Sequence, residues 1–324
     1  MRERMNYWRR IFKVYLTKNK GYLSFWHERP AVSENITPEK IGPYYMTFAD
    51  KANYAGPRDK DGVILFDYFS NIGRQYNPVA IAQYGLGHYN LHLKTKDQKN
   101  LNEFLVHADW LVRNLENNEK NIPVWRHHFE WRYKKILAPG WYSALSQGSG
   151  ISLLVRAYSE TKKEIYRETA EKAFVSITTD MESGGVLFTD NKGDIWLEEY
   201  MVMPPTHIIN GFLWAFWGVW DYFLMTGDKE AEKLLNACLR TLKNNLHRYD
   251  AGFWSLYDLS KQKMKMLASP FYHALHIAQL KATHILTGNP IFKEYAEKFE
   301  NYRRSPIKRT LALVCKSVFK LFYF

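Results

Sequence analysis

The chain has 324 residues, of which 46% are hydrophobic and 16% aromatic, and its formal net charge is +12. That length holds one large domain or two small ones, and the apolar content belongs to a globular chain with a sizeable core, not a fibrous or unfolded one. The two cysteines, Cys238 and Cys315, fall in apparent helices without metal-type spacing, which excludes a disulfide framework and a zinc site and fits a reducing compartment. A basic balance points to a polyanionic partner: nucleic acid, an acidic glycan or an anionic membrane surface.

Residues 1–30 are basic and aromatic, but charges interrupt them too often for the apolar core of a signal peptide. Residues 31–76 are rich in Pro, Gly, Asp and Tyr, with strand-like pieces YYMTF and GVILFDYF, and read as an N-terminal arm with a short β element. From Pro78 onward helices come in pairs, at 78–94 and 98–117, 141–160 and 164–179, 205–226 and 228–248, and 270–287 and 290–303. The first helix of each pair is more apolar and the second more charged, and first helices recur about every 65 residues, as repeated supersecondary units do. Strand-like aromatic segments at 122–133, 186–200 and 253–266 precede the second, third and fourth first helices. Residues 305–324 follow as a basic amphipathic helix, with Lys308, Arg309, Lys316 and Lys320 on one side and Ile307, Leu311, Cys315, Val318 and Phe322 opposite. Such a helix lies in a membrane interface or docks on the body of the protein.

The stretch 196–222, WLEEYMVMPPTHIINGFLWAFWGVWDY, is the centre of this pattern. Pro204 and Pro205 break the chain, and the following helix, begun near Pro205–His207, is apolar on almost every face, so it is buried on all sides. The fold expected is mainly α: an incomplete (α/α) toroid of about four helix pairs with short β-hairpins, spanning 77–304, behind a small arm at 1–76 and ahead of the 305–324 helix. The N-terminal ends of the inner helices then gather on one face. They bring Gln83, Tyr84 and His88 from the first pair, and Trp141, Tyr142 and Gln147 from the second. Glu199, Tyr200, His207 and Asn210 come from the third, and Tyr257, Tyr272, His273 and His276 from the fourth. Each of these taken singly is an ordinary core residue with a satisfied polar end. Their convergence on one mouth is what suggests a site. The GSGIS run at 148–152 sits inside a helical pattern and reads as close helix packing, not a phosphate loop.

Several stretches resemble the C-terminal catalytic region of D-glucuronyl C5-epimerases: YNPVAIAQYGLGHYN (76–90), HADWLVRN (107–114), LAPGWYSALSQGSGISLLVRAY (137–158), WLEEY (196–200), INGFLWAFWGVWDY (209–222), LYDL (256–259), YHALHIAQL (272–280) and PIFKEYAEKFENYRR (290–304). They run in family order, and the family's toroid agrees with the repeat. The animal enzymes carry a β-domain between the IAQYG and DWLVRN motifs; here only a short helical connection separates them. The resemblance implies inversion of C5 in glucuronic acid residues of an acidic polysaccharide, with iduronic acid as product. Neither a metal nor a nicotinamide is required, and nucleic acid drops out as a partner. It further implies catalytic tyrosines at Tyr200, Tyr257 and Tyr272, with Glu199 as an acidic neighbour. The family's arginine two residues after the Asp of the LYDL-like motif is Ser260 here, so the cation that meets the substrate carboxylate is expected from Lys261, Lys263, Lys265, Arg126 or Arg132. A working tyrosinate would need such cations nearby to lower a pKa that is ordinarily about 10. A uronate polysaccharide lyase on a similar toroid and a non-catalytic glycan-binding protein are the rival readings. The chain is expected in the cytoplasm, on the inner face of the membrane where the C-terminal helix attaches, and the sequence is compatible with a homodimer.

Overall fold

The computed structural model describes residues 25–68 and 72–323. The basic stretch 1–24 expected as part of an arm lies outside the described residues. A short helix α1 (Ala49–Ala52) and a hairpin β1 (Phe66–Tyr68) and β2 (Gly73–Gln75) precede the helix pairs. These are α2 (Pro78–Thr95) with α3 (Gln98–Arg113), α4 (Ala144–Thr161) with α5 (Glu164–Thr178), α6 (Ile209–Thr226) with α7 (Lys229–Asn245), and α8 (Pro270–Thr287) with α9 (Pro290–Arg304). Between α3 and α4 lie two antiparallel pairs, β3 (Glu116–Asn117) with β4 (Pro123–Val124) and β5 (Trp131–Arg132) with β6 (Ile136–Leu137). Antiparallel β7 (Leu187–Thr189) and β8 (Ile195–Leu197) feed α6, and α10 (Pro306–Tyr323) closes the described chain.

The boundaries follow from local chemistry. Asn77, Ser143 and Ser269 each accept a hydrogen bond from the backbone N–H three residues on, which caps α2, α4 and α8. Pro78 and Pro270 sit in the first turn, where no donor is lost. The turns between partners use left-handed residues, Lys96, Lys162, Gly227 and Gly288. Two inner helices start later than the sequence suggests. α4 begins after the Ser143 cap instead of at 141. α6 begins at Ile209 instead of 205, because the buried Glu198 carboxylate accepts the backbone N–H groups of Thr206 and His207 and holds His207 at φ +50°. α3 stops at Arg113 instead of 117, since Asn114 turns its side chain back onto the Trp110 carbonyl and Glu116–Asn117 pair as a strand. In 253–266 no regular strand forms; isolated bridges at 250–255 and 256–267 close that hairpin.

The inner helices α2, α4, α6 and α8 contact one another in that order and form an arc. α4 and α6 touch through their backbones: a Cβ on Gly148 would lie 2.5 Å from the Ala215 Cα, and one on Gly218 2.5 Å from the Gly148 Cα. That is the close packing expected of the GSGIS run. Residues 25–48 fill the arc's open side. Tyr44 stacks on Trp214, Asn90 binds the Tyr44 and Met46 backbones, and His27 meets Phe271. At the end away from the hairpins, fully buried Arg156 and Asp221 pair at 2.6 Å, and Tyr45 donates to the same carboxylate at 2.6 Å. Removing one partner of such a pair leaves an uncompensated buried charge, so this triad fixes α4, α6 and the 42–45 segment together.

Candidate active site

The loop 198–208 sets the geometry of the mouth. Glu198 turns inward and takes the His207 ring, which stacks on Trp196 at 4.1 Å. With its partner committed, His207 is a loop clamp instead of a site residue. Glu199, the next residue, points toward α6. Its carboxyl is seated where Gly211 leaves room; a Cβ there would come within 2.4 Å of Oε2. The hydroxyls of Tyr200 and Tyr257 and the side-chain amide of Asn210, 3.2 Å from Oε2, hydrogen-bond it. Burial pushes the Glu199 carboxyl up to about 8, against these hydrogen bonds, which hold it down. Asn210 is held in turn by Gln279, which donates to the Asn210 carbonyl at 3.1 Å.

The aromatic groups assemble around this carboxyl. Tyr257 packs edge to face on Tyr272 with centroids 4.9 Å apart. Tyr200 stacks on Tyr133 at 4.3 Å and tilts against Trp141 at 5.8 Å, and Trp141 lies flat on buried His127 at 3.7 Å. Tyr257 is buried, whereas Tyr200 and Tyr272 keep part of their surface exposed. Burial, and after it the charge of Glu199, raises the Tyr200 and Tyr257 phenols well above the usual tyrosine value. Neither phenol is held down toward a resting tyrosinate, contrary to the expectation.

The structure brings a cation not named from the sequence to the edge of this cluster. Lys134, from the turn between β5 and β6, places Nζ 2.7 Å from Asp258 Oδ2 and on the Ser260 hydroxyl. Asp258 is buried and further accepts from the Tyr133 hydroxyl at 2.9 Å and the Ser260 hydroxyl at 2.7 Å. Ser260 therefore leaves space that Lys134 enters from another hairpin. The candidates named from sequence are elsewhere: Lys261, Lys263, Lys265 and Arg132 are exposed, and Arg126 is engaged by Glu119 at 2.7 Å and Glu116 at 3.6 Å.

The remaining expected residues are not brought to this cluster. Gln147 clamps the Trp125 backbone from both sides. Tyr142 donates to the Gly184 carbonyl. Tyr84 reaches Arg58 and Glu103, and His88 bonds Asn100, both on the seam between α2 and α3. Gln83 is buried within α2. His273 bridges Ser255 and the Phe299 carbonyl, and His276 bonds the same Ser255; burial holds both imidazoles below their usual value and so uncharged. Sequence reasoning missed Tyr133, Lys134, His127 and Asp258. Asp258 was within the quoted LYDL motif, but Tyr133 and Lys134 meet it across 125 and 124 residues. Among the described residues no group of three His, Cys, Asp or Glu is placed to hold a metal ion.

The sequence profile of the D-glucuronyl C5-epimerase C-terminus matches residues 118–301, which include every residue of this cluster. The chain belongs to that family. It is 34% identical over 215 residues to a D-glucuronyl C5-epimerase of Caenorhabditis elegans, a match that covers 61% of this chain and 34% of the worm protein. The chain thus spans about a third of that relative's length. An uncharacterized protein of Methanocaldococcus jannaschii is 32% identical over 221 residues, covering 64% of this chain and 70% of the archaeal one. In fold the chain is similar to the cellobiose 2-epimerase of Spirochaeta thermophila, with a TM-score of 0.50 at 11% identity over 70% of this chain and 58% of that one. That likeness concerns the α/α toroid.

Proposed function

We propose that this family member is a carbohydrate epimerase that inverts C5 of D-glucuronic acid residues within an acidic polysaccharide, giving L-iduronic acid. The observation that carries the reading is the buried Glu199 carboxyl, held by Tyr200 and Tyr257, with Tyr272 packed against Tyr257. Inversion needs a base on one face of C5, an acid on the other, and a cation for the carboxylate as it takes on enediolate character. Of Tyr200, Tyr257 and Tyr272, the first and last are partly exposed, and in this reading they face the sugar.

In the first step Tyr200 takes the C5 proton while its own hydroxyl proton passes to ionised Glu199. The C–H electron pair moves into the substrate carboxylate, and Lys134 stabilises the enediolate. In the second step Tyr272 gives its proton to the opposite face of C5, leaving a tyrosinate. Tyr257, between Glu199 and Tyr272, then passes its proton to Tyr272 and takes one from Glu199, which restores the resting state. A carboxyl near 8 suits this relay, because an acceptor matched to the working pH is both ionised often enough and basic enough.

Incubation with glucuronate polymers in D2O, read by NMR, tests the reading. Deuterium at C5 with iduronate formed and the chain intact is expected. A new absorbance from unsaturated uronate would assign a lyase instead, and an unaltered polymer that is nonetheless bound would assign a glycan-binding protein.

A further inference from the structure

The positive charge is not spread over the molecule. Residues 303–324 carry six Lys and Arg and no acid, and residues 1–24 carry seven against one acid, Glu3. The 278 residues between them hold 32 charges of each sign. The toroid is therefore electrically balanced, and the net charge of +12 is not the signature of a polyanion groove at its mouth.

α10 is fixed to the body on one side only. Ala312 and Phe319 are buried, the Lys308 ammonium lies 4.2 Å from the Tyr302 ring centre, and Lys316 donates to the Leu267 carbonyl at 2.6 Å. The other side is apolar and open: Ile307 is 80% exposed, Leu311 44% and Val314 54%, and half-buried Val318 continues the row. These residues fall at i, i+4, i+7 and i+11, one stripe on a helix. On its flank, Leu313 lines a cavity of about 440 Å³ with Arg303, Arg304 and Arg309. Glu300 pairs with the first two; Arg309 forms no ion pair among the described residues.

We propose that this stripe seats α10 in the interface of an anionic lipid bilayer, with the net positive charge of 303–324 drawn to its headgroups. An exposed apolar row on a helix that carries four cations and no acid has the chemistry of an interfacial anchor. α10 also lies beyond the family match, which ends at residue 301. Among the described residues no helix is long and apolar enough to cross a membrane, so the attachment lies on the surface.

The test is co-sedimentation of the full chain with phosphatidylcholine vesicles with and without phosphatidylserine. Binding only to the anionic vesicles, weakened by salt, is expected. Leu311→Glu with Val314→Glu should lower partitioning about tenfold or more, since two apolar anchors become charged. Ile307→Ser, at the open start of the helix, is the milder variant and should lower it about threefold if the double change disturbs folding. Because residues 1–24 are basic as well, the stripe variants decide the matter. Undiminished binding in Ile307→Ser and in a folded double variant would overturn the proposal. So would failure of the parent chain to bind anionic vesicles. Loss of a dimer in the double variant, seen by light scattering without any lipid effect, would assign the stripe to a second copy of the chain instead.

Discussion

Replacing Lys134 by Met separates its pairing with Asp258 from the contact with the substrate carboxylate proposed for it. The Lys134 side chain is 20% exposed and the Asp258 side chain 1%, so the change strands a buried carboxylate. Breaking a fully buried pair costs about 3–5 kcal/mol. Here Asp258 keeps the Tyr133 hydroxyl, the Ser260 hydroxyl and the Ser260 backbone N–H, at 2.9, 2.7 and 3.2 Å. The loss of stability should therefore fall to about 1–3 kcal/mol, the range for one lost charged hydrogen bond. Catalysis should lose more, about 10²–10³-fold in kcat, as when a donor to a developing oxyanion is removed. Adding Asp258→Asn neutralises the stranded carboxylate and should return most of the stability without returning turnover. Lys134→Arg should recover part of kcat. The assays are urea unfolding and C5 deuterium exchange on a glucuronate polymer. If the double variant regains parental exchange, Lys134 serves Asp258 alone and its assignment to the substrate carboxylate fails.

Glu199→Gln should alter the pH dependence of stability. Its folded value, near 8, is raised above that of an ordinary glutamate, so the folded state binds the extra proton. The stabilisation it confers is complete below the unfolded value and is lost as pH rises through about 8. The Gln variant should therefore gain in Tm relative to parent between pH 5.5 and 8.5, by calorimetry; a constant difference would contradict the burial argument. Gly211→Ala should displace the Glu199 carboxyl, since the new Cβ would lie 2.4 Å from it, and should cut exchange about 10²-fold while leaving far-UV circular dichroism intact. Parental exchange in that variant would show that Glu199 can sit elsewhere without loss.

The toroid was legible because its inner helices are apolar all round and its outer helices amphipathic, and because caps such as Asn77, Ser143 and Ser269 mark their starts. The meeting of Glu199, Tyr200, Asn210, Tyr257 and Tyr272 was legible for the same reason: each lies at or just before an inner helix. What stayed hidden depends on contacts between hairpins. Nothing in YKK at 133–135 shows that Lys134 will reach Asp258 while Lys135 turns to the Met203 carbonyl. The sequence also does not show that Gln147 and His273 bond to backbone groups inside the core, or that His276 bonds Ser255 there. The delayed start of α6 was hidden too, since Glu198 competes with the helix for the backbone donors of Thr206 and His207.

The proton circuit makes one stereochemical demand that a structural role for the tyrosines would not. With Tyr272→Phe, the acid on the far face is gone while Tyr200 and Glu199 remain. A C5 proton removed by Tyr200 can then return only from Tyr200. In D2O this variant should place deuterium at C5 of glucuronate with the configuration retained, and should form iduronate about 10²–10⁴-fold more slowly than the parent. Tyr200→Phe should abolish exchange and inversion together. Inversion at the parental rate in Tyr272→Phe, or exchange at the parental rate in Tyr200→Phe, would contradict the assignment of these two phenols to opposite faces of the sugar.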